Sequence, residues 1–472
     1  MNRSLRSATQ SLRGATRSLR GAAAVAGIGA TPYYKRGTSP HSALRLTLEA
    51  ILAACADAGL DAHDVDGFVS YANDLSEGLA VGAALGVREI RWSTMVWGGG
   101  GGGVAAAVNA AAAAVASGQA DHVIVYRGLT EADDGRQSYG KGHFPPLLSA
   151  HGVLTPAQVC ALRTQRMLEV DGVPRSALEA LVEASYHHVQ QNPDAVAYGR
   201  PLDHDTYAGA RWVSEPLRLY DCSRENDGAA AVLVTSAERA RDLRPVPAYV
   251  LSGVQGAGPD WSESAENNAA YTSAGFHPAL VARLWAEAGP KPGQADVVQV
   301  YENFSGPAVA SLIDLGLCPP GPDAGAFMTL PNLTAPAGAL PVNTAGGNLA
   351  EGFVHGIGLV LEAVRQIRGT SANQVPGAES RYCSAARWHR WSARPSSAPR
   401  LRSDVPGAPW LVALAARRPD HWASETSRAA AAAPFAACAA ELAEVGTGTG
   451  SGWHSMSGPL PAWRAGSCPS AR

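Results

Sequence analysis

The stretch VWGGGGGGVAAAVNAAAAAVASGQADHVIVYRG, residues 96–128, decides how this chain reads. Six glycines in one run, 98–103, lead into an Ala/Val segment that stops at Ser117-Gly118. That pattern predicts a helix from about 103 to 117, ended by glycine. The DHVIVYRG that follows is apolar and β-branched, and predicts a strand. The same order returns at NTAGGNLAEGFVHGIGLVLEAVRQIRG, residues 343–369, where a glycine pair feeds a long helix that again ends in glycine.

Working outward, the segments ahead of each stretch also correspond. In the first half, a helix over 41–58 precedes DVDGFVSYAND, a buried strand entering a loop; in the second, HPALVARLWAEAG precedes ADVVQVYENFS. Strands alternating with helices imply a mostly parallel sheet with helical layers. Two matching halves imply an internal duplication, with a first half over 22–244 and a second over 245–379. The parallel also demands a strand around 380–388. From Ser380 onward the composition changes instead, to Arg/Ser/Pro/Ala clusters holding six of the eleven tryptophans. Only PWLVALAA, 409–416, resembles a strand. The expectation is that 380–472 is an atypical, disordered tail outside the fold, consistent with out-of-frame translation of GC-rich DNA. Residues 1–21 carry three copies of a basic seven-residue unit opening at Ser4, Ser11 and Ser18. They read as an unstructured extension or a misread upstream start, with a transit peptide as the alternative.

Composition excludes several classes. With 38 Lys+Arg against 41 Asp+Glu, the net charge is −3, which gives no electrostatic case for nucleic acid or a membrane surface as partner. Seven scattered cysteines without a CxxC pair argue against a disulfide scaffold or a zinc site and for a cytoplasmic setting. No apolar run reaches the ~20 residues that span a bilayer. Asp203-His204-Asp205 lacks further ligands at metal spacing, so no metal is assigned.

Four places could carry chemistry. The amides of Gly100, Gly101 and Gly102, at a helix start, suit an oxyanion or a phosphate, or serve only close packing. Tyr301-Glu302-Asn303-Phe304 ends an apolar strand, where parallel-sheet folds place ligands; Tyr301 and Glu302 are acid/base candidates, or Tyr301 merely closes a core strand. Asn343, the Gly346-Gly347 pair and His355 surround another helix start; Asn343, Gly346 and Gly347 are expected to hold an oxyanion or the acyl-CoA, and His355 is a catalytic candidate or, as a lone histidine, a surface or core residue. In YDCSRENDG, Asp221 and Asp227 suit local turn binding, and Cys222 reads as a small buried residue.

Assembled in order, these segments resemble the thiolase superfamily, in the branch of sterol-carrier-protein-type thiolases and bacterial lipid-transfer proteins that includes steroid side-chain aldolases. The resemblance covers about residues 22–379. It implies a five-layered αβαβα fold of two similar halves, a homodimer, and acyl-CoA as substrate, with no covalently bound cofactor. It also implies departures. A thiolase places its nucleophilic cysteine near Gly101, where none stands. The histidine of its GHP motif falls on Phe353, and His355 lies two residues beyond. Cys383 sits in no matching motif. Aldolases of this branch resemble thiolases without the cysteine that use two tyrosines; Tyr301 matches the first, and Phe353 stands where the second belongs. They also use a small OB-fold partner that helps bind the acyl-CoA. The expected function is therefore carbon–carbon bond chemistry on an acyl-CoA in lipid or steroid metabolism, retro-aldol rather than Claisen thiolysis. The alternative is a non-catalytic lipid or acyl-CoA carrier or an inactive copy.

Overall fold

A computed structural model describes residues 19–72, 74–96, 103–130, 146–256, 276 and 278–378, with the backbone of 382–386 and 410–415. The first half opens with β1 (Ala23–Ala30) and β2 (Tyr34–Lys35). Next comes α1 (Ala43–Ala58), capped by the Ser42 side chain and stopped at Gly59 in the left-handed conformation. β3 (Gly67–Tyr71), α2 (Gly78–Leu85), β4 (Trp92–Val96), α3 (Gly103–Ala116) and β5 (His122–Leu129) follow. A helical excursion carries α4 (Pro156–Glu169), α5 (Arg175–His188) and a small hairpin, β6 (Trp212–Ser214) with β7 (Leu217–Arg218), before β8 (Asn226–Ser236) returns to the sheet. The second half runs β9 (Ala248–Gln255), α6 (Pro278–Ala288), β10 (Val297–Val300), α7 (Ser305–Asp314), α8 (Ile357–Arg368), β11 (Tyr382–Ala386) and β12 (Trp410–Ala415).

The pairings repeat. β1 is antiparallel to β8, β8 antiparallel to β5, and β5 parallel to β3, with β4 parallel on the outer edge. β9 is antiparallel to β12, β12 antiparallel to β11, and β11 parallel to β10. β1 and β9 join the half-sheets through Ala24–Tyr249 and Val25–Ala248. The duplication inferred from pattern is thus one of topology, strand for strand. Where β4 stands in the first half, the second has a single bridge from Val342 to Val298.

One boundary needs correction. β11 and β12 lie beyond residue 379, and they are the counterparts of β5 and β8. The sheet therefore does not end where the composition shifts. Arg- and Trp-rich sequence around β11 hides any period-2 pattern, but pairing by backbone hydrogen bonds does not require one. The rest of 380–472, and residues 1–18 of the N-terminal repeats, lie outside the described residues.

The five layers follow from two-sided apolar strands. On β5, Val123 and Val125 face one cluster while Ile124 and Tyr126 face another; on β8, Val232 and Val234 alternate with Ala231 and Leu233. The outer face of the first half-sheet packs under α1 through Leu46, Ala50, Ile51 and Ala54. Close approach there requires glycine, since a Cβ on Gly29 would lie 2.3 Å from the Ala50 carbonyl oxygen. α6 packs on β9 and β12 of the other half. Between the half-sheets sit α3 and α8: Val104, Val108, Leu359 and Val360 share one core with Val125, Val232 and Val250. The expectation that the glycine pair leads α8 is also corrected. Gly347–Ala350 forms a single separate turn, and α8 starts only after Gly356, at φ 81°. The chain between them crosses the middle of the molecule.

Candidate active site

Strands of both halves supply this region: β3 and β5, which run parallel, from the first, and β10, which runs opposite to them along the sheet, from the second. β3 ends at Tyr71, β5 carries Arg127 near its end, and β10 runs straight into Tyr301. Carboxyl ends of parallel strands converge on ligands because the connections there leave backbone amides and side chains facing a crevice. Tyr301 is 3% exposed and belongs to the same apolar cluster as Phe353, Tyr71 and Val104 of α3. Tyr301 and Phe353, 52 residues apart in sequence, thus belong to one buried apolar cluster. Gly100, Gly101 and Gly102 lie outside the described residues.

His355 sits in the break between the 347–350 turn and α8. Its backbone is left-handed at φ 46°, and its carbonyl oxygen accepts from the Tyr71 hydroxyl at 2.9 Å. The Arg127 Nε donates to His355 Nδ1 at 2.9 Å, and Arg127 Nη1 pairs with Asp74 Oδ2 at 2.8 Å. Asp74 accepts further from the amides of Ser76 and Gly128. This is a buried charge chain: the Arg127 and Asp74 side chains are 2% and 1% exposed. Phe353 closes it edge-on, its ring 5.0 Å from that of His355. Burial, reinforced by the Arg127 charge, holds the His355 imidazole well below the usual histidine range, so it is neutral. Among the described residues, the non-glycine positions with positive φ are Ala72, Asn343 and His355. Strain of this kind persists only where surrounding contacts enforce it.

Sequence reasoning missed Arg127 and Asp74. A signal existed: an arginine inside the apolar strand HVIVYRGL must find a counter-charge if that strand is buried on both faces.

The remaining expected residues are engaged with the protein itself. Asn343 was expected to bind the acyl-CoA; its side chain instead accepts from the Val300 amide at 2.7 Å and donates to the Val300 carbonyl at 2.9 Å. It mimics a strand neighbour along β10. Glu302 is fully buried and accepts from the Asn348 amide at 2.6 Å and the Asn348 Nδ2 at 3.0 Å. It occupies the amide end of the turn that Gly346 and Gly347 begin, where an oxyanion was expected. Gly347 is at φ 57°, and a Cβ there would fall on Glu302 Oε1. Burial pushes the Glu302 carboxyl up to about 8.

The YDCSRENDG segment braces the loop after β10. Asp221 accepts from Ser305 Oγ at 2.6 Å and Tyr207 Oη at 3.0 Å, and Cys222 forms a bridge with Phe304. Asp227 accepts from the Ser39 amide. Asn226 receives the Phe353 amide at 2.5 Å, which fixes the loop carrying Phe353 and His355. Burial pushes the Cys55, Cys222 and Cys318 thiols up to about 12, the reverse of what a nucleophile needs. Among the described residues no three His, Cys, Asp or Glu side chains gather at a metal-binding distance, and no helix is long and apolar enough to cross a membrane.

Known proteins resemble this arrangement. The thiolase C-terminal domain-like family matches residues 261–386. The 17-hydroxy-3-oxo-4-pregnene-20-carboxyl-CoA lyase of Mycobacterium tuberculosis is 37% identical over 377 residues, 76% of this chain and 94% of that protein. The steroid side-chain-cleaving aldolase of Thermomonospora curvata is 37% identical over 366 residues, 75% of this chain and 92% of its own length. Among solved structures, the Ltp2-ChsH2(DUF35) aldolase superposes with a TM-score of 0.73 at 35% identity, covering 85% of this chain and 99% of that one. With this order of strands and these relatives, the chain belongs to the thiolase superfamily, in its sterol-carrier-protein-type, aldolase-bearing branch.

Proposed function

We propose that this protein cleaves a β-hydroxyacyl-CoA by a retro-aldol reaction, with a steroid side-chain thioester as the substrate class. The observation that carries the reading is Tyr301, a hydroxyl buried at the end of β10 within the apolar cluster shared with α3. No cysteine stands anywhere between residues 72 and 159, so a covalent acyl-enzyme lacks its nucleophile at the α3 start. The 37% identity to proteins named as a carboxyl-CoA lyase and a side-chain-cleaving aldolase supports the same choice.

The reaction asks for a group that takes the β-hydroxyl proton and a site that holds the enolate. Tyr301 serves as the proton relay: it receives the hydroxyl proton while passing on its own. The Cα–Cβ bond then breaks, its electron pair enters the thioester as an enolate, and a proton returned to Cα gives the shortened acyl-CoA beside a ketone or aldehyde. Glu302 and Asn343 hold the backbone that aims Tyr301. The second hydroxyl of the branch is absent at Phe353, and that substitution favours the alternative, a non-catalytic acyl-CoA carrier.

Two assembly statements belong to the same proposal. A small OB-fold partner helps bind the acyl-CoA, as supported by the likeness to the Ltp2-ChsH2(DUF35) aldolase. A homodimer forms, supported by β4, which pairs with β3 alone and lies at the sheet edge. Among the described residues, the free thiols of Cys55, Cys222 and Cys318 suit a cytoplasmic location. The test is to co-express the full chain with such a partner and measure cleavage of a β-hydroxylated steroid side-chain CoA thioester. Tyr301→Phe is expected to lower kcat about 10²–10⁴-fold. Equal rates remove Tyr301 from the mechanism; binding without cleavage by the wild type establishes the carrier.

A further inference from the structure

We propose that Arg127 and Asp74 are positioning residues that hold His355 as an Nε2–H donor aimed at the thioester oxygen on which enolate charge develops. The inference rests on the retro-aldol reading and gives His355, expected from sequence as a catalytic group of unstated role, one specific task.

The argument is geometric. Guanidinium donates and never accepts, so Nε of Arg127 at 2.9 Å requires a lone pair on His355 Nδ1. The ring proton must then lie on Nε2. A carboxylate at Nδ1, as in a Ser-His-Asp triad, makes the other nitrogen a better base. Arg127 does the opposite: protonating the ring would put two cations in contact in a buried site. His355 is thereby disfavoured as a base and held as a neutral donor, since burial and the Arg127 charge keep its imidazole well below the usual histidine range. Asp74 fixes Arg127 in turn, since its two oxygens bind Nη1 and the amides of Ser76 and Gly128, leaving the guanidinium one orientation. Three other contacts hold the imidazole: the Tyr71 hydroxyl on its carbonyl, the left-handed backbone, and the edge-on Phe353 ring. Nε2 is the ring's remaining polar atom, and His355 follows Phe353 and Val354, which belong to the cluster that holds Tyr301. A preorganised donor in such surroundings matters most when charge appears on an oxygen in the transition state. The titratable groups packed against the ring are Arg127 from β5, Asp74 and Tyr71 from the β3 end.

The test reads the proton itself. The full chain with its partner is labelled with ¹⁵N-histidine, and the His355 signals are assigned by their loss in His355→Gln. The expected result is an unprotonated Nδ1 and a protonated Nε2 throughout pH 5–8. In Arg127→Leu/Asp74→Leu, which removes both buried charges together, His355 is expected to titrate closer to its ordinary value of about 6.5; Arg127→Lys, which keeps a cationic donor, should retain the tautomer. A protonated Nδ1 in the wild type, or a titration unmoved in the double variant, overturns the lock. In the cleavage assay, His355→Ala should lower kcat about 10²–10³-fold with KM little changed. A wild type that cleaves while His355→Ala cleaves equally well overturns the donor role and leaves the retro-aldol reading standing. A wild type that shows the tautomer but does not cleave removes the reading and the donor's target together.

Discussion

Glu302→Gln separates a catalytic carboxyl from a structural one. Glu302 is fully buried beneath the Gly346-Gly347 turn, and burial lifts its carboxyl from an ordinary 4.5 to about 8. At pH 7 it is therefore mainly protonated, and Gln is its near-isostere: the Asn348 amide keeps an oxygen to donate to, and a flipped Asn348 side chain supplies an acceptor for the new NH₂. The folded state retains a proton that the unfolded chain releases above its ordinary value, so stability falls as pH rises toward 8. Glu351, also lifted to about 8 by burial, slopes the same way. His188, held down at about 3, and His355, held below its usual range, slope oppositely, but only below about 6.5. From pH 6.5 to 8 those two histidines no longer contribute. His204, raised by its bond to Glu179, slopes the same way as the carboxyls in wild type and variant alike, so the difference between the two proteins reports Glu302. Across those 1.5 units Glu302 alone removes about 2 kcal/mol, at ~1.4 kcal/mol per unit. Urea unfolding at pH 6.5, 7.2 and 8 should show wild-type stability falling more steeply than that of Glu302→Gln, by about 2 kcal/mol across the window, with the two proteins closest at the low end. Cleavage at pH 7 should be retained within a few-fold. Parallel pH profiles would refute the buried-acid reasoning, and a kcat loss above about 100-fold in the Gln variant would return the carboxyl to the chemistry.

Gly347→Ala places a methyl on Glu302 Oε1 and forces Ala to φ 57°, so a loss of about 3–5 kcal/mol is expected in urea unfolding, partly recovered in Gly347→Ala/Glu302→Ala; full additivity would show that the two do not meet. Truncation after Asp420 should leave a folded, acyl-CoA-binding protein, whereas truncation after Ala378 removes β11 and β12, bares the edges of β9 and β10, and should give aggregated material by size-exclusion chromatography. Phe353→Tyr restores a hydroxyl on the ring that packs against His355 and should raise retro-aldol kcat at least about 10²-fold; an unchanged rate means that the second hydroxyl has no role on this scaffold.

Much of the architecture could be read from local pattern. Apolar spacing with a Gly59 stop gave α1, and the Ala/Val run after the glycines gave α3, because short-range periodicity and glycine stops are written within one turn of chain. β11 escaped that reading, since its neighbours in sequence are Arg and Trp while its neighbours in space are β10 and β12. The site divides the same way. Tyr301 was visible as a polar residue ending an apolar strand, and Phe353 as a departure from the family's motif. Asn343 was expected at the acyl-CoA and Glu302 as an acid/base group; the side-chain bonds seen here run to Val300 and Asn348.

The sequence by itself therefore determined the duplicated α/β plan, the missing nucleophile and the place of Tyr301, because each depends on residues adjacent in the chain. Only the tertiary structure decided that Asp74, Arg127 and His355 form one chain of bonds across 281 residues, and which imidazole nitrogen carries the proton. A buried arginine announces that it needs a partner; which partner it finds, and in what orientation, is fixed by the packing of distant strands against one another.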